Sequence, residues 1–532
     1  MVRFYVFLLL AWFVTGCQES ASPARESRYK PVRIQPSPEV AFGRLFEAVQ
    51  MAQVFPESQT FADSSPKSDP QSILAAYETE QQQPGFDLNR FVLRHFTLSQ
   101  DHSMDFRADT TQSVLQHIRA IAPILTRQTE AEDLYASRIS LPRPYLTPNA
   151  AWDDFRYQDS YFAVLGLQAT EQWEAIQDVA DNMAFLIQTV GYIPSGNRTY
   201  EQTRSHPPYF SMIIRILAEG KGLDMLVRYL PELEKEYAFW MAGADKVSAE
   251  NPAYRRVVRM PDGTLLNRYW DDSVMPRAEA YREDVLLAQS LKNRVASQVY
   301  RDVRAAAESG WEVSARWFRD GKSVATLHTT ELVPVDLNCL LWNLETTLVR
   351  AYTQQGNGDL ARQFTEKAAL RKAAVLKYFW NERIHFFDDF DFVRKRHSGI
   401  RSLAATFPLF LKVASQVQAD SVSAQLERDF LQEGGLVSTI ADGDVAWDAT
   451  MGIAPWQWTG FVGLRNYGHQ RLAARVRQRW MALNTRVFRA TGNIFRRYRV
   501  TDHTLPRDVN EPLGYGWTNG VFLAMDQAKS SL

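Results

Sequence analysis

The apolar residues of this chain recur at intervals of three and four over most of its length, which restricts it to a helical fold. One stripe is Val114, Leu115, Ile118, Ile121 and Leu125, with Asp109-Thr110-Thr111 ahead of it as capping residues. A second is Trp173, Ile176, Val179, Met183 and Ile187, and a third runs through Leu233, Tyr237, Trp240 and Met241 behind Pro231, a residue suited to a first helical turn. Further helices are expected at about 211–219, 284–307, 335–355, 359–380, 401–417, 421–432, 455–483 and 516–528. Upstream, Phe42, Leu45, Phe46, Val49 and Met51 mark a helix that Val54-Phe55-Pro56-Glu57-Ser58 breaks. Another is expected at about 73–80, among Pro66, Pro70 and Pro84. Alternating strand patterns are few and short, and no fixed-period repeat points to a regular solenoid. Helices in this number, joined by loops rich in proline, glycine and aromatic residues, suit an all-α toroid of helical hairpins with a pocket built from the loops at one end.

The chain has 532 residues, of which 45% are hydrophobic, enough to bury a large core. Its 60 basic and 61 acidic residues nearly cancel and no basic stretch stands out, so a nucleic-acid partner is not expected. The 14 tryptophans can stack on sugar rings as well as fill a core. No His-Glu-x-x-His pattern, paired cysteine set or phosphate-binding glycine loop supports a metal or a nucleotide cofactor.

Residues 1–16 read as a signal peptide: Arg3 precedes an apolar run at 4–14 that is too short to remain as a membrane-spanning helix. Val14-Thr15-Gly16-Cys17 resembles the lipobox of bacterial lipoproteins. That resemblance implies an acylated Cys17 holding a water-exposed body on a membrane. Gln18 rather than Asp follows it, which by the same resemblance implies the outer membrane, with the protein in the periplasm. Residues 17–37 are polar and read as the lipidated cysteine and its tether, leaving 38–532 for the toroid and its N-terminal extension. Cys339 is then the only other cysteine, so no internal disulfide is possible, and its apolar neighbours at 337–342 mark it as core.

One stretch concentrates chemistry: Glu308-Ser309-Gly310-Trp311-Glu312. Gly310 lets the backbone come close to a neighbour. Glu312 follows an aromatic wall, and desolvation there would raise its pKa as a general acid requires. Four more loop regions gather polar and aromatic residues, at 144–162, 193–208, 269–284 and 446–458 with 514–520.

Ordered motifs link these regions: Phe55-Pro56-Glu57-Ser58, Asp159-Ser160-Tyr161-Phe162, Arg204-Ser205 with Pro207-Pro208, Pro276-Arg277 with Glu279, Tyr281-Arg282-Glu283-Asp284, Glu308-Ser309-Gly310-Trp311, Val333-Pro334-Val335-Asp336-Leu337-Asn338 and Gly516-Trp517-Thr518-Asn519-Gly520. Together they resemble the trehalase family of glycoside hydrolases over nearly the whole mature chain. The resemblance implies an (α/α)6 toroid and metal-free, inverting hydrolysis of α,α-trehalose, a small disaccharide, into two glucoses. Inversion needs an acid and a base about 6.5–9.5 Å apart. The resemblance places the acid on Glu312, where the family has Asp, and the base on Asp508, where the family has Glu in a glycine-rich loop. Here that loop reads Leu505-Pro506-Arg507, and Glu511 is a rival base. It also implies sugar contacts from Asp159, Arg204, His206, Arg277, Glu279, Gly310 and Trp447.

Pocket motifs depart from the family while scaffold motifs hold. The family's Trp-Asp is Gln158-Asp159, its Ile-Pro-Asn-Gly has Ser195, its Arg-Ser-Gln has His206, and its Gly-Gly-Arg-Phe is Asn149-Ala150-Ala151-Trp152. Such drift leaves open a glycosidase for another small α-glucoside, or a sugar-binding protein without hydrolysis. Structural roles stay open as well: an Arg277–Glu279 ion pair, an Arg204–Asp159 pair pinning loops, His206 as a packing residue, and Trp311 and Trp447 as either pocket wall or core.

Overall fold

The computed structural model describes residues 29, 33–103, 106–129, 133–441, 448–502 and 511–528. Six helices form a closed inner ring: α1 (Tyr157–Ala169), α2 (Phe210–Lys221), α3 (Val335–Gln355), α4 (Phe407–Phe410), α5 (Ala454–Asn466) and α6 (Gly516–Gln527). Each packs on the next, and α6 returns to α1. The inner helices are buried nearly all round; α1, for example, buries Tyr157, Gln158 and the run from Ser160 to Gly166. The outer helices bury one stripe, as a helix facing solvent on its far side must. In Gln470–Thr491 that stripe is Leu472, Ala473, Val476, Trp480, Leu483, Val487 and Phe488. The other outer helices include Val114–Leu125, Trp173–Val190, Leu230–Trp240, Gly358–Tyr378 and Gln416–Gln425. This is the expected (α/α)6 toroid.

The ring closes on glycine. A Cβ on Gly166 of α1 would lie 2.7 Å from the Gly520 Cα of α6, and one on Gly520 would lie 2.1 Å from the Phe162 carbonyl oxygen. No side chain fits between two backbones this close. Gly520 is the last residue of the Gly516-Trp517-Thr518-Asn519-Gly520 motif, so the motif serves closure as well as the pocket.

Several elements differ from expectation. No stripe announces α1, and the helix expected at about 401–417 is instead a short strand, a 3-10 turn and the four-residue α4, with a separate helix at Gln416–Gln425 where one is expected at about 421–432. The helix at Val114 is capped by Ser113, whose side chain forms a capping box with Gln116. Asp109 instead turns the chain locally onto Thr111. The stretch at 284–307 is two helices, Tyr281–Ser290 and Ala296–Glu308. The stretch at 455–483 also divides, at Gly468, whose φ of +83° breaks the helix between α5 and Gln470. Apolar periodicity carries across such short breaks, so spacing alone does not reveal them.

Strands are two or three residues long among the described residues. One pair matters to the site: Met451–Ile453 pairs antiparallel with Arg497–Arg499, which holds the chain at 495–499 against the start of α5. The N-terminal extension forms its own apolar cluster around Phe42, Leu45, Phe46, Phe61, Ile73 and Phe91, capped by Tyr200 and Ala278. Gln50 donates to the Ala278 carbonyl at 3.3 Å, and the Ser58 hydroxyl donates to Glu283 at 2.7 Å. The extension thus buttresses the turn that carries Arg277 and Glu279. Cys339 is buried with its thiol free, and among the described residues no helix is long and apolar enough to cross a membrane.

Candidate active site

A cavity of about 210 Å³ is lined by Asp159, Arg204, His206, Arg277, Glu279, Gly310 and Glu312, together with Gln158, Arg156, Glu201, Arg496 and Tyr515. All seven described residues assigned to the site from the sequence meet there. Cys17, Trp447 and Asp508 lie outside the described residues. A second cavity of about 740 Å³ shares Gln59, Trp152, Arg496 and Tyr515 with the first and is lined by Glu511. A cleft of about 830 Å³ elsewhere on the ring, between Tyr161, Arg215, Trp342, Phe410 and Trp458, contains none of the site residues.

Each residue is set in place by its own local structure. Asp159 sits in the first turn of α1. Burial pushes its carboxyl up to about 6 against the opposing pull of Arg496, Arg156 and a hydrogen bond from Tyr515. Arg204 donates to Glu279 at 2.6 Å and to Glu201 at 3.3 Å. Burial raises Glu279, but Arg204, Arg277 and Arg304 outweigh it and hold the carboxyl below its ordinary range. Arg277 grips Asp284 with Nε at 2.9 Å and Nη2 at 2.7 Å. The ion pairs read from the sequence are therefore re-partnered: Arg277 with Asp284 rather than Glu279, and Arg204 with Glu279 rather than Asp159. His206 is brought down to about 3 by burial and by Arg156 and Arg204, so its ring is neutral. Its Nδ1 accepts the Gln158 backbone N–H at 3.3 Å.

Gly310 has a φ of +72°, and a Cβ there would stand 1.6 Å from the Gln158 amide oxygen. Only glycine fits both constraints. Glu312 adopts a left-handed φ of +53°, a strained conformation for a residue with a Cβ. Two buried groups brace the segment that follows it. The Asp448 carboxylate accepts from the Ser314 hydroxyl at 3.0 Å and from the Ala315 N–H. Arg316 bridges Asp336 and Asp389.

Trp311 is not the expected aromatic wall beside Glu312. Trp311 is fully buried, stacks on Trp456 at 4.5 Å and donates its indole N–H to Asp336 at 3.1 Å, so it is core. Glu312 faces Arg496 instead and is ion-paired to it, with its own side chain 44% exposed. Burial pushes Glu312 up, but Arg496, then Arg497 and Arg277, outweigh it and hold its carboxyl below the usual carboxylate range. The desolvated, raised carboxyl expected at this position is thus corrected to an ionised one. Arg496 is itself fixed: its N–H donates to Glu511 at 2.9 Å, and its carbonyl accepts from the Trp517 indole at 3.1 Å. Nothing in Phe495-Arg496-Arg497-Tyr498 marked it beforehand.

Arg277→Lys is expected to cost more than about tenfold in kcat/KM and, because the same fork holds buried Asp284, to lower the melting temperature as well. Lysine keeps the charge but loses the fork that holds Asp284 with two nitrogens and leaves Nη1 without a protein partner among the described residues. Steady-state kinetics and thermal melting check this; full activity at a normal melting temperature would place Arg277 outside the site.

Among the described residues one group could hold a metal, His328 with Glu331 and Asp391. None of the three lines the cavity, and Glu331 already pairs with Arg319.

Known proteins agree with this architecture. The family model described as trehalase matches residues 53–528. The chain is 40% identical over 498 residues to a periplasmic trehalase of Escherichia coli O139:H28, covering 93% of this chain and 88% of that one. It is 38% identical over 508 residues to the periplasmic trehalase of Citrobacter koseri, covering 95% and 89%. Among solved structures, the neutral trehalase of Saccharomyces cerevisiae superposes with a TM-score of 0.59 at 22% identity, over 73% of this chain and 74% of that one. A mannosylglycerate hydrolase of Thermus thermophilus reaches 0.52 at 15% identity, over 78% and 100%, a likeness of fold. A closed six-helix ring, ordered motifs converging on one cavity and a family match spanning most of its length together make this chain a member of the trehalase family of glycoside hydrolases.

Proposed function

We propose that this protein hydrolyses α,α-trehalose to two glucoses with inversion, in the periplasm. Glu312 gives the glycosidic oxygen its proton, and Asp508 activates water on the opposite face of the sugar. Asp159, Arg204, His206, Arg277, Glu279, Gly310 and Trp447 hold the sugar. The observation that carries this reading is the convergence of the seven described residues assigned to the site from the sequence, from segments far apart in the chain, on one small polar cavity. The chemistry asks for a protonated Glu312, so sugar entry has to relax its pairing with Arg496. A sugar wedged against Glu312 removes water from it and weakens the guanidinium contact, and both changes move the carboxyl upward. Glucose release from trehalose by protein beginning at Gln18, with the anomer first released, tests this. Release only from other α-glucosides would transfer the site to a different small substrate.

A second reading, sugar binding without hydrolysis, is favoured by one observation, the Glu312–Arg496 ion pair. The pH dependence separates the two. An acid must be protonated, so the rate falls as pH rises through its pKa in the folded protein. Arg496 holds that pKa down; Arg496→Gln is expected to move the alkaline limb of kcat/KM to higher pH. An unmoved limb would remove Glu312 as the titrating acid. Calorimetric trehalose binding with no turnover at any pH would select the second reading.

For the membrane, acylation at Cys17 with residues 18–37 as tether anchors the body to the outer membrane. Cys17→Ala is expected to lose acyl labelling, and labelling that persists would end the lipoprotein assignment.

A further inference from the structure

Gln158 presents an unusual surface to the cavity. The residue is 1% exposed, yet among the described residues neither its amide oxygen nor its amide nitrogen has a hydrogen-bond partner. Buried polar groups are nearly always paired, so an orphaned amide facing a cavity indicates a partner that arrives from outside. Next to it, the Ser195 hydroxyl is equally buried and, among the described residues, equally unpartnered, and it lines the same cavity. The two are held side by side by the Tyr157 N–H, which donates to the Ser195 carbonyl at 3.0 Å. Three features prevent the amide from satisfying itself. The Gln158 backbone is fixed by its N–H on His206. The first turn of α1 fixes its direction. Gly310 offers no side chain, its missing Cβ being the space that the amide oxygen occupies.

Gln158, Ser195 and His206 are also three positions at which the chain departs from the family pattern, and they lie together. A departure scattered over the pocket would suggest decay. One that replaces an aromatic face with a desolvated amide, and keeps a glycine to receive it, reads as a changed contact.

We propose that Gln158, supported by Ser195, is a specificity-determining residue that reads two adjacent hydroxyls of the sugar ring in this cavity. A planar amide sets one acceptor and one donor side by side. One hydroxyl donates to Oε1, and its neighbour accepts from Nε2. The class of ligand is a glycoside whose ring carries two free vicinal hydroxyls on the Gln158 side. A site built to bond a hydroxyl rejects the deoxy analogue strongly, because its own buried groups are then left unpaired. This inference rests on the hydrolase reading for its turnover assay but not for its binding assay.

The test is a cycle between protein and substrate. Wild type, Gln158→Met and Gln158→Glu are assayed for kcat/KM on α,α-trehalose and on its 2-, 3-, 4- and 6-deoxy analogues. The same proteins are titrated calorimetrically with D-glucose and the matching deoxyglucoses, with melting temperature as a fold control. In wild type, two analogues lacking adjacent hydroxyls are expected to lose at least about tenfold. Gln158→Met, of similar length but with no amide, is expected to shrink both penalties to under about threefold. Gln158→Glu keeps an acceptor without the donor and is expected to retain only one; it carries the test should Gln158→Met not fold. Deoxy penalties identical in wild type and variants would overturn the proposal while leaving trehalose hydrolysis standing. Coupling seen in glucose binding, with no turnover of any analogue, would end the hydrolase reading and leave the Gln158 assignment standing. Absence of both turnover and saturable glucose binding would overturn both.

Discussion

Glu312→Gln is expected to lower turnover of α,α-trehalose by about a hundred- to ten-thousandfold, the usual contribution of a positioned general acid. Glutamine keeps the length and shape of the side chain but carries no transferable proton. The backbone at this position, with its φ of +53°, is held by Asp448 on Ser314 and Ala315, neither of which the substitution touches. The melting temperature should therefore change little, the more so because the Glu312 side chain is 44% exposed and its ion pair is screened by water. A sharper comparison uses α-glucosyl fluoride, whose leaving group departs without a proton. Glu312→Gln should retain most of the wild-type rate on the fluoride while losing it on trehalose. Equal losses on both substrates would take the acid's role from Glu312 and give it a purely electrostatic one.

Asp508→Asn is expected to fail on both substrates by a comparable factor, because activation of water is required whichever group leaves. The control is Glu511→Gln. Glu511 accepts the Arg496 N–H and lines the adjoining cavity, so its removal should disturb Arg496 and cost far less than loss of the base. Rates for both variants on both substrates, set against wild type, decide the matter. A fully active Asp508→Asn would move the base to Glu511. Tolerance of both substitutions would leave the water without either base.

The helical class and most of the helices could be read from local patterns, whereas α1, buried nearly all round, carries no stripe to read, and the six-fold ring and the residues at its mouth rest on the family resemblance. Stripes such as Ile176, Val179, Met183 and Ile187 report which face is buried, and short motifs such as Pro276-Arg277 keep their local shape wherever they are placed. Partner choice between distant loops could not be read in this way. Arg204 and Glu279 are 75 positions apart, and Glu312 and Arg496 are 184 apart. Nothing in the spacing tells an arginine which of several buried carboxylates it will meet. The same limit explains Trp311. A Gly-Trp-acid sequence looks the same whether the indole faces a sugar or, as here, lies between Trp456 and Asp336. The direction of the Glu312 shift was lost with it, since it depends on Arg496 arriving across the cavity.

The glycine contact between α1 and α6 also bears on how the molecule comes into being. α1 ends at Ala169 and α6 begins at Gly516, so the helix that opens the ring waits about 350 residues for the one that shuts it. At roughly 5–20 residues per second, synthesis alone keeps that seam apart for roughly 20–70 s. Throughout that interval the side of α1 at Phe162 and Gly166 lacks its α6 counterpart, and the residues around the future cavity are not yet all gathered. A chain cut short anywhere before Gly520 therefore yields an arc rather than a weakened enzyme. Export in an unfolded state would spare the nascent chain this wait by postponing closure until both ends are on the same side of the membrane.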